Sequence, residues 1–150
     1  MALRLGIAAV VLVAAALIAW RMRTRRPDAP PRDPFPVPRQ LDRNDFPRPE
    51  ARWLVAYFSS ETCAGCQGLG PKVEVLASTE VATADCSFET QRALHDRYDV
   101  SAIPMILIAD EHGVVRRAFI GHTSATDLWA AVAEVRAPGT SPEPKLGELD

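Results

Sequence analysis

The chain has 150 residues, 17 Lys plus Arg against 19 Asp plus Glu, three cysteines and 47% hydrophobic content, which accommodates one globular domain with appendages and excludes two full-sized domains. Residues 1–48 carry nine Arg and four Asp, whereas residues 49–150 carry eight basic and fifteen acidic side chains; a body so acidic is not built to bind nucleic acid, which needs clustered Lys and Arg. Three cysteines are too few, and odd in number, for a disulfide-stapled secreted scaffold, so disulfide chemistry here is expected to be catalytic.

Residues 5–20 hold neither a charge nor a proline. With Leu3, Arg4 and Met22 at the flanks they approach the ~20 residues a spanning helix needs. Arg4 can snorkel to the headgroups and Trp20 stands where interfacial aromatics are found. A cleaved signal peptide is the competing reading, but it ends in a polar stretch with a small-residue cleavage site, and here Arg21, Arg23, Arg25 and Arg26 follow instead. Residues 1–22 are therefore expected to form a single-pass anchor in the cell membrane. The four arginines place the body on the cytoplasmic side by the positive-inside rule. Residues 23–38 form a basic, proline-rich linker, with six prolines between Pro27 and Pro38. Proline fixes φ and removes an amide donor, so this stretch is an extended spacer of roughly 35 to 40 Å, with a ligand for proline-reading domains as the alternative.

The body follows. Residues 53–58 (WLVAYF) read as a buried strand. Leu69, Val73 and Leu76 then recur at helical spacing, so a helix is expected to begin at Cys63 and to kink at Pro71. Residues 81–85 form a weaker strand and residues 89–98 a polar surface helix. Residues 105–109 and 114–120 are strands joined by a tight turn at residues 110–113. A last helix covers about residues 126–136, with Ser124 and Asp127 at capping-box spacing. The order β, α, β, α, β, β, α predicts an α/β fold with a mixed central sheet and helices on both faces. Residues 138–150, rich in Pro, Gly, Ser and acids, are expected to be a disordered acidic tail.

The chemistry concentrates at Cys63, Ala64, Gly65 and Cys66. A C-x-x-C pair between a strand and a helix start places Cys63 where unpaired amides favour the thiolate, the attacking species. Cys66 is close enough to form a disulfide with it. The pair can then take up a substrate disulfide through a mixed intermediate. Cys63 is the expected nucleophile and Cys66 the resolving thiol. Half of a zinc site has the same spacing, but a closed zinc site needs four ligands and the chain has no second C-x-x-C and no H-x-x-x-H. His95, His112 and His122 are scattered, Cys86 reads as a small half-buried residue, and Glu61 as a solvated carboxylate or a local acid or base.

These residues resemble the thioredoxin family, over about residues 39–136. Residues 41–46 (LDRNDF) look like its first short strand and turn, Pro71 like the proline of its active-site helix, and Gly113 and Gly121 like two of its glycines. Residues 99–108 (DVSAIPMILI) look like its cis-proline segment. The resemblance implies a thioredoxin-like fold, which the transmembrane helix read from residues 1–22 precedes, a cis Ile103–Pro104 bond, and a substrate groove in which Ile103 and Pro104 lie beside Cys63. It departs at Thr62, at Ala64 with Gly65, and at Tyr57, which stands where the family has a buried Asp. The implied activity is membrane-anchored thiol-disulfide exchange with protein thiols, using an unidentified electron donor or acceptor and no cofactor or metal. A non-catalytic module that binds a metal or docks a partner is the alternative.

Overall fold

Seven consecutive buried residues, Trp53–Ser59, form the first strand, β1; a strand hidden on both faces must lie inside a sheet with cover on each side. The computed structural model describes residues 35–141 and 145–149. The expected anchor and most of the proline-rich linker lie outside the described residues; among the described residues no helix is long and apolar enough to cross a membrane.

After β1 come α1 (Leu69–Glu74), β2 (Val81–Ser87), α2 (Phe88–Arg97), β3 (Met105–Ala109), β4 (Val115–Ile120) and α3 (Ala125–Arg136). The sheet order is β2-β1-β3-β4. β2 runs parallel to β1, with Tyr57 beside Asp85, and β3 runs antiparallel to both β1 and β4. The expected mixed sheet is present, and the alternation along its strands separates two cores. Leu54, Ala56, Phe58, Cys86, Met105 and Leu107 face one side, where Leu94 and Tyr98 at the α2 end of the fold cover them. Val55, Tyr57, Ile106 and Ile108 face the other, against Leu69 and Val73 of α1 and Leu128, Ala131 and Val132 of α3. Each fully buried large aliphatic or aromatic side chain contributes roughly 1.5 to 3 kcal/mol.

Four expectations change. The helix does not begin at the cysteine pair: Ala64–Cys66 is one 3-10 turn, Gly68 at φ 74° breaks the chain, and α1 starts at Leu69. Pro71 thus lies in the first turn of α1, where its missing N–H has no intrahelical partner to lose, and it introduces no kink. Residues 41–46 form a 3-10 turn (Arg43–Asp45) capped by Asp42, with a single bridge from Gln40 to Val114 in place of a strand. The polar helix α2 buries His95, whose ring lies edge-on to Phe58 and Phe88, with Nε2 2.8 Å from the Cys86 carbonyl oxygen. The tail, expected to lack order, makes specific contacts where it is described. The Gly139 and Ser141 amides donate to the Glu134 carboxylate, the Gly147 carbonyl accepts from Ala118 N–H on the open edge of β4 at 2.7 Å, and Leu149 packs against the first core. Pairing of this kind occupies backbone groups that an edge strand otherwise leaves exposed.

The turn between β3 and β4 lies at the expected place. Asp110 Oδ1 accepts from the His112 and Val114 amides, and Gly113 closes the turn at φ 80°. A Cβ at Gly113 would collide with the Leu41 carbonyl. Only glycine therefore permits both the backbone conformation and the approach of the N-terminal segment.

Candidate active site

The parallel pairing of β1 with β2 sends the chain off the end of β1 into the loop that carries the cysteines. Ser59 ends the strand and donates to Asp85 Oδ1 at 2.7 Å. Ser60 and Thr62 then build the turn. The Thr62 amide donates to Ser60 Oγ, and the Cys63 amide donates to the Ser60 carbonyl at 3.1 Å. Ser60 Oγ in turn donates to Glu89 Oε1 at 2.7 Å, while Ser87 Oγ donates to Glu89 Oε2 at 2.6 Å. The first turn of α2 thereby clamps the loop. The Ser87 and Ser60 hydroxyls hold the Glu89 carboxyl down at about 2, because both bonds are made to its ionised form.

Cys63 and Cys66 are joined in a disulfide with their Cα atoms 5.3 Å apart. Cys63 is partly exposed, whereas Cys66 is 8% exposed. The Cys66 amide donates to the Cys63 carbonyl at 3.0 Å, and the Tyr57 hydroxyl donates to the Cys66 carbonyl at 2.9 Å. Tyr57 therefore fastens the inner cysteine through its backbone. Burial, and then the nearby Asp85 charge, push its phenol up to about 12, so it stays a hydrogen-bond donor at neutral pH. With α1 only six residues long and separated from Cys63 by Gly68, no long helix dipole points at the outer sulfur.

Beside the pair, the Ile103–Pro104 bond is cis. Gly65 lies against it: a Cβ there would sit 3.4 Å from Pro104 Cδ. The Pro104 carbonyl accepts from the Gly121 amide at 2.8 Å, which ties this segment to the end of β4. Ile103 is half-buried and packs against both cores, and no hydrogen bond engages its backbone N–H or carbonyl among the described residues. The four residues singled out from the sequence, Cys63, Cys66, Ile103 and Pro104, thus converge at one end of the sheet.

The family model for thioredoxin matches residues 44–134. The chain belongs to the thioredoxin family. With its C-x-x-C pair closed as a disulfide, this thioredoxin-family protein is a thiol-disulfide oxidoreductase. Among solved structures, a thioredoxin from Fasciola hepatica is 27% identical, with a TM-score of 0.49, over 56% of this chain and 81% of that one. A mutant thioredoxin from Halobacterium salinarum NRC-1 is 24% identical, with a TM-score of 0.50, over 67% and 80%; at that identity the likeness concerns the fold. No curated protein matches the chain.

Of the remaining candidates, Glu61 lines the groove beside the cysteines, whereas Cys86 and His112 do not join the site. Cys86 is fully buried on the opposite face of the sheet, where burial and then the Asp85 charge push its thiol up to about 12. His112 sits in the β3–β4 turn, far along the sheet from the cysteines. Among the described residues, no three His, Cys, Asp or Glu side chains form a group that could hold a metal. Two contributors were missed in the sequence. Asp85 and Glu89 both reach the active-site loop, and the only trace of this was an acidic residue in the apolar alternation of residues 81–85.

Proposed function

We propose that this protein is a membrane-tethered oxidoreductase that exchanges electrons with protein thiols, Cys63 attacking and Cys66 resolving. The observation that carries the reading is the disulfide between a partly exposed and a buried cysteine beside the unengaged backbone of Ile103. In the reductive direction the Cys63 thiolate attacks one sulfur of a substrate disulfide, forming a Cys63–substrate bond and expelling the other substrate sulfur as a thiolate. Cys66 then attacks Cys63, closing the internal disulfide and releasing the second substrate thiol. Two electrons pass from the pair to the substrate. A dithiol donor restores the pair by the reverse exchange. The cis Ile103–Pro104 segment stands beside the pair, and an extended substrate segment would pair there with the Ile103 backbone as an added strand.

The tether rests on the uncharged, proline-free run of residues 5–20, and the cytoplasmic side on the arginines that follow it. In the reducing cytoplasm, disulfide reduction is the favoured direction.

A redox titration of the full chain in detergent, with alkylation of Cys63 and Cys66 against dithiothreitol or glutathione buffers, tests the chemistry. A reversible two-electron transition is expected, and Cys66→Ser should accumulate mixed disulfides through Cys63. Absence of the disulfide at every poise would overturn the redox reading. For the tether, cell fractionation should leave the protein with the membranes, and external protease should spare residues 50–150. Recovery in the soluble fraction would overturn it.

A further inference from the structure

When Cys66 attacks the mixed disulfide it must lose a proton, and a thiol that is 8% exposed cannot hand it directly to bulk water. A groove of about 430 Å³ runs along the inner side of the pair, and Tyr57, Ser59, Cys63, Cys66, Gly70 and Asp85 are among the residues that line it. Polar groups make up about half of its wall, and it is far larger than the space one water needs. Gly70 keeps it open: its absent side chain leaves Asp85 Oδ2 and the Tyr57 ring as the facing atoms, at 3.6 and 4.0 Å from where a Cβ would stand.

The titratable groups facing Asp85 are few. β1 contributes Tyr57, the cysteine loop contributes Glu61, Cys63 and Cys66, and α1 contributes Glu74 through the adjoining groove. No Lys, Arg or His lines either groove. Asp85 makes no ion pair among the described residues, and Ser59 Oγ donates to its Oδ1 alone, which leaves Oδ2 able to accept. Tyr57 is a poor acceptor because its hydroxyl already donates to the Cys66 carbonyl. Glu61 stands in the exposed turn. Asp85 thus combines a place in the wall shared with Cys66 with exposure to solvent, the two properties a proton exit requires.

We propose that Asp85 accepts the Cys66 proton during resolution and passes it to solvent. The assignment rests on the redox reading above. In the step, the Cys66 S–H proton moves through groove water to the Asp85 carboxylate and the Cys66 thiolate attacks Cys63 Sγ. The Cys66–Cys63 bond forms as the Cys63–substrate bond breaks. Its electron pair leaves on the substrate sulfur, which takes up a proton. In the oxidative direction the protonated Asp85 returns the proton to Cys66 as it leaves. The carboxylate acts as a general base and acid, and the net two-electron exchange is unchanged.

The test uses the full chain in detergent. The reduced protein is mixed with a peptide disulfide, and decay of the Cys63–peptide intermediate is followed by rapid quench from pH 5 to 10. Asp85→Asn should slow resolution about ten-fold or more at pH 7. The deficit should shrink as the pH rises and Cys66 ionises unaided. Alkylation of Cys63 should keep its wild-type rate, Asp85→Glu should restore part of the loss, and Glu61→Gln should resolve normally. Asp85→Ser provides an independent variant, and a thermal melt shows that each is folded. Wild-type resolution in folded Asp85→Asn, a deficit that does not change with pH, or an equal deficit in Glu61→Gln would overturn the assignment alone. A wild-type protein that never forms the mixed disulfide would overturn the redox reading and this assignment with it.

Discussion

Tyr57→Phe removes one oxygen atom from the centre of the site, and the structure sets the size of the effect. The Tyr57 side chain is 2% exposed, and its hydroxyl donates to the Cys66 carbonyl at 2.9 Å. Losing a buried hydrogen bond removes about 0.5 to 1.5 kcal/mol, and an acceptor left buried without a partner costs about 1 to 3 kcal/mol. Phenylalanine fills the same space, so no cavity term is added. The carbonyl borders the groove and can recover part of its loss from water, which brings the expected destabilisation to about 1 to 2 kcal/mol. For a domain of this size each kcal/mol lowers Tm by roughly 4 to 8 °C. Guanidinium denaturation of the oxidised full chain in detergent measures it, with midpoints compared at equal slopes. The folded-state pKa of Tyr57, about 12, lies above its ordinary value of 10, so its contribution is complete below pH 10 and lost as pH rises from 10 to 12. Tyr98 and Cys86 are also pushed up to about 12, but they are common to both proteins and cancel in the difference. The gap between wild type and Tyr57→Phe should therefore narrow above pH 10. A difference below about 0.5 kcal/mol at pH 7 would show that the bond to Cys66 does not secure the inner cysteine.

Gly113→Ala should be among the most damaging single changes outside the cores, because φ 80° alone costs an L-residue about 1 to 2 kcal/mol and the new Cβ meets the Leu41 carbonyl; a loss of about 3 kcal/mol in denaturant midpoints is expected, and one under about 1 would contradict the close approach. Glu89→Gln should flatten the acid limb of the stability curve: the folded carboxyl is held near 2 against an ordinary 4.5, so wild-type stabilisation is present above pH 4.5 and lost as pH falls toward 2, as melting curves at each pH would show. Thiol labelling of the reduced native protein should find Cys63 reactive and Cys86 silent until denaturant is added, since Cys86 is fully buried and its thiolate is disfavoured. Rapid labelling of three thiols without denaturant would refute that burial.

Much of this protein was legible in one dimension because the signals are local. The apolar runs of residues 53–58 and 105–109, the turn residues 110–113 and the C-x-x-C spacing each report on neighbours a few positions apart, and they place the strands, the β3–β4 turn and the redox pair by themselves. The class of chemistry follows from two sulfurs three residues apart. What needed the tertiary structure was every relation across strands. Asp85 comes beside Tyr57 only through the parallel register of β1 and β2, and Glu89 reaches Ser60 only because α2 starts where β2 ends, next to the cysteine loop. His95 looks like a surface residue until the aromatic rings of Phe58 and Phe88 are folded around it. Even the start of α1 is a tertiary decision: Gly68 adopts a left-handed conformation that no periodicity reveals, and this detaches the cysteine turn from the helix behind it. Sequence patterns record which side chains want burial or share a turn, whereas a proton acceptor for a buried thiol is defined by proximity between segments nineteen residues apart, which only the packed sheet creates.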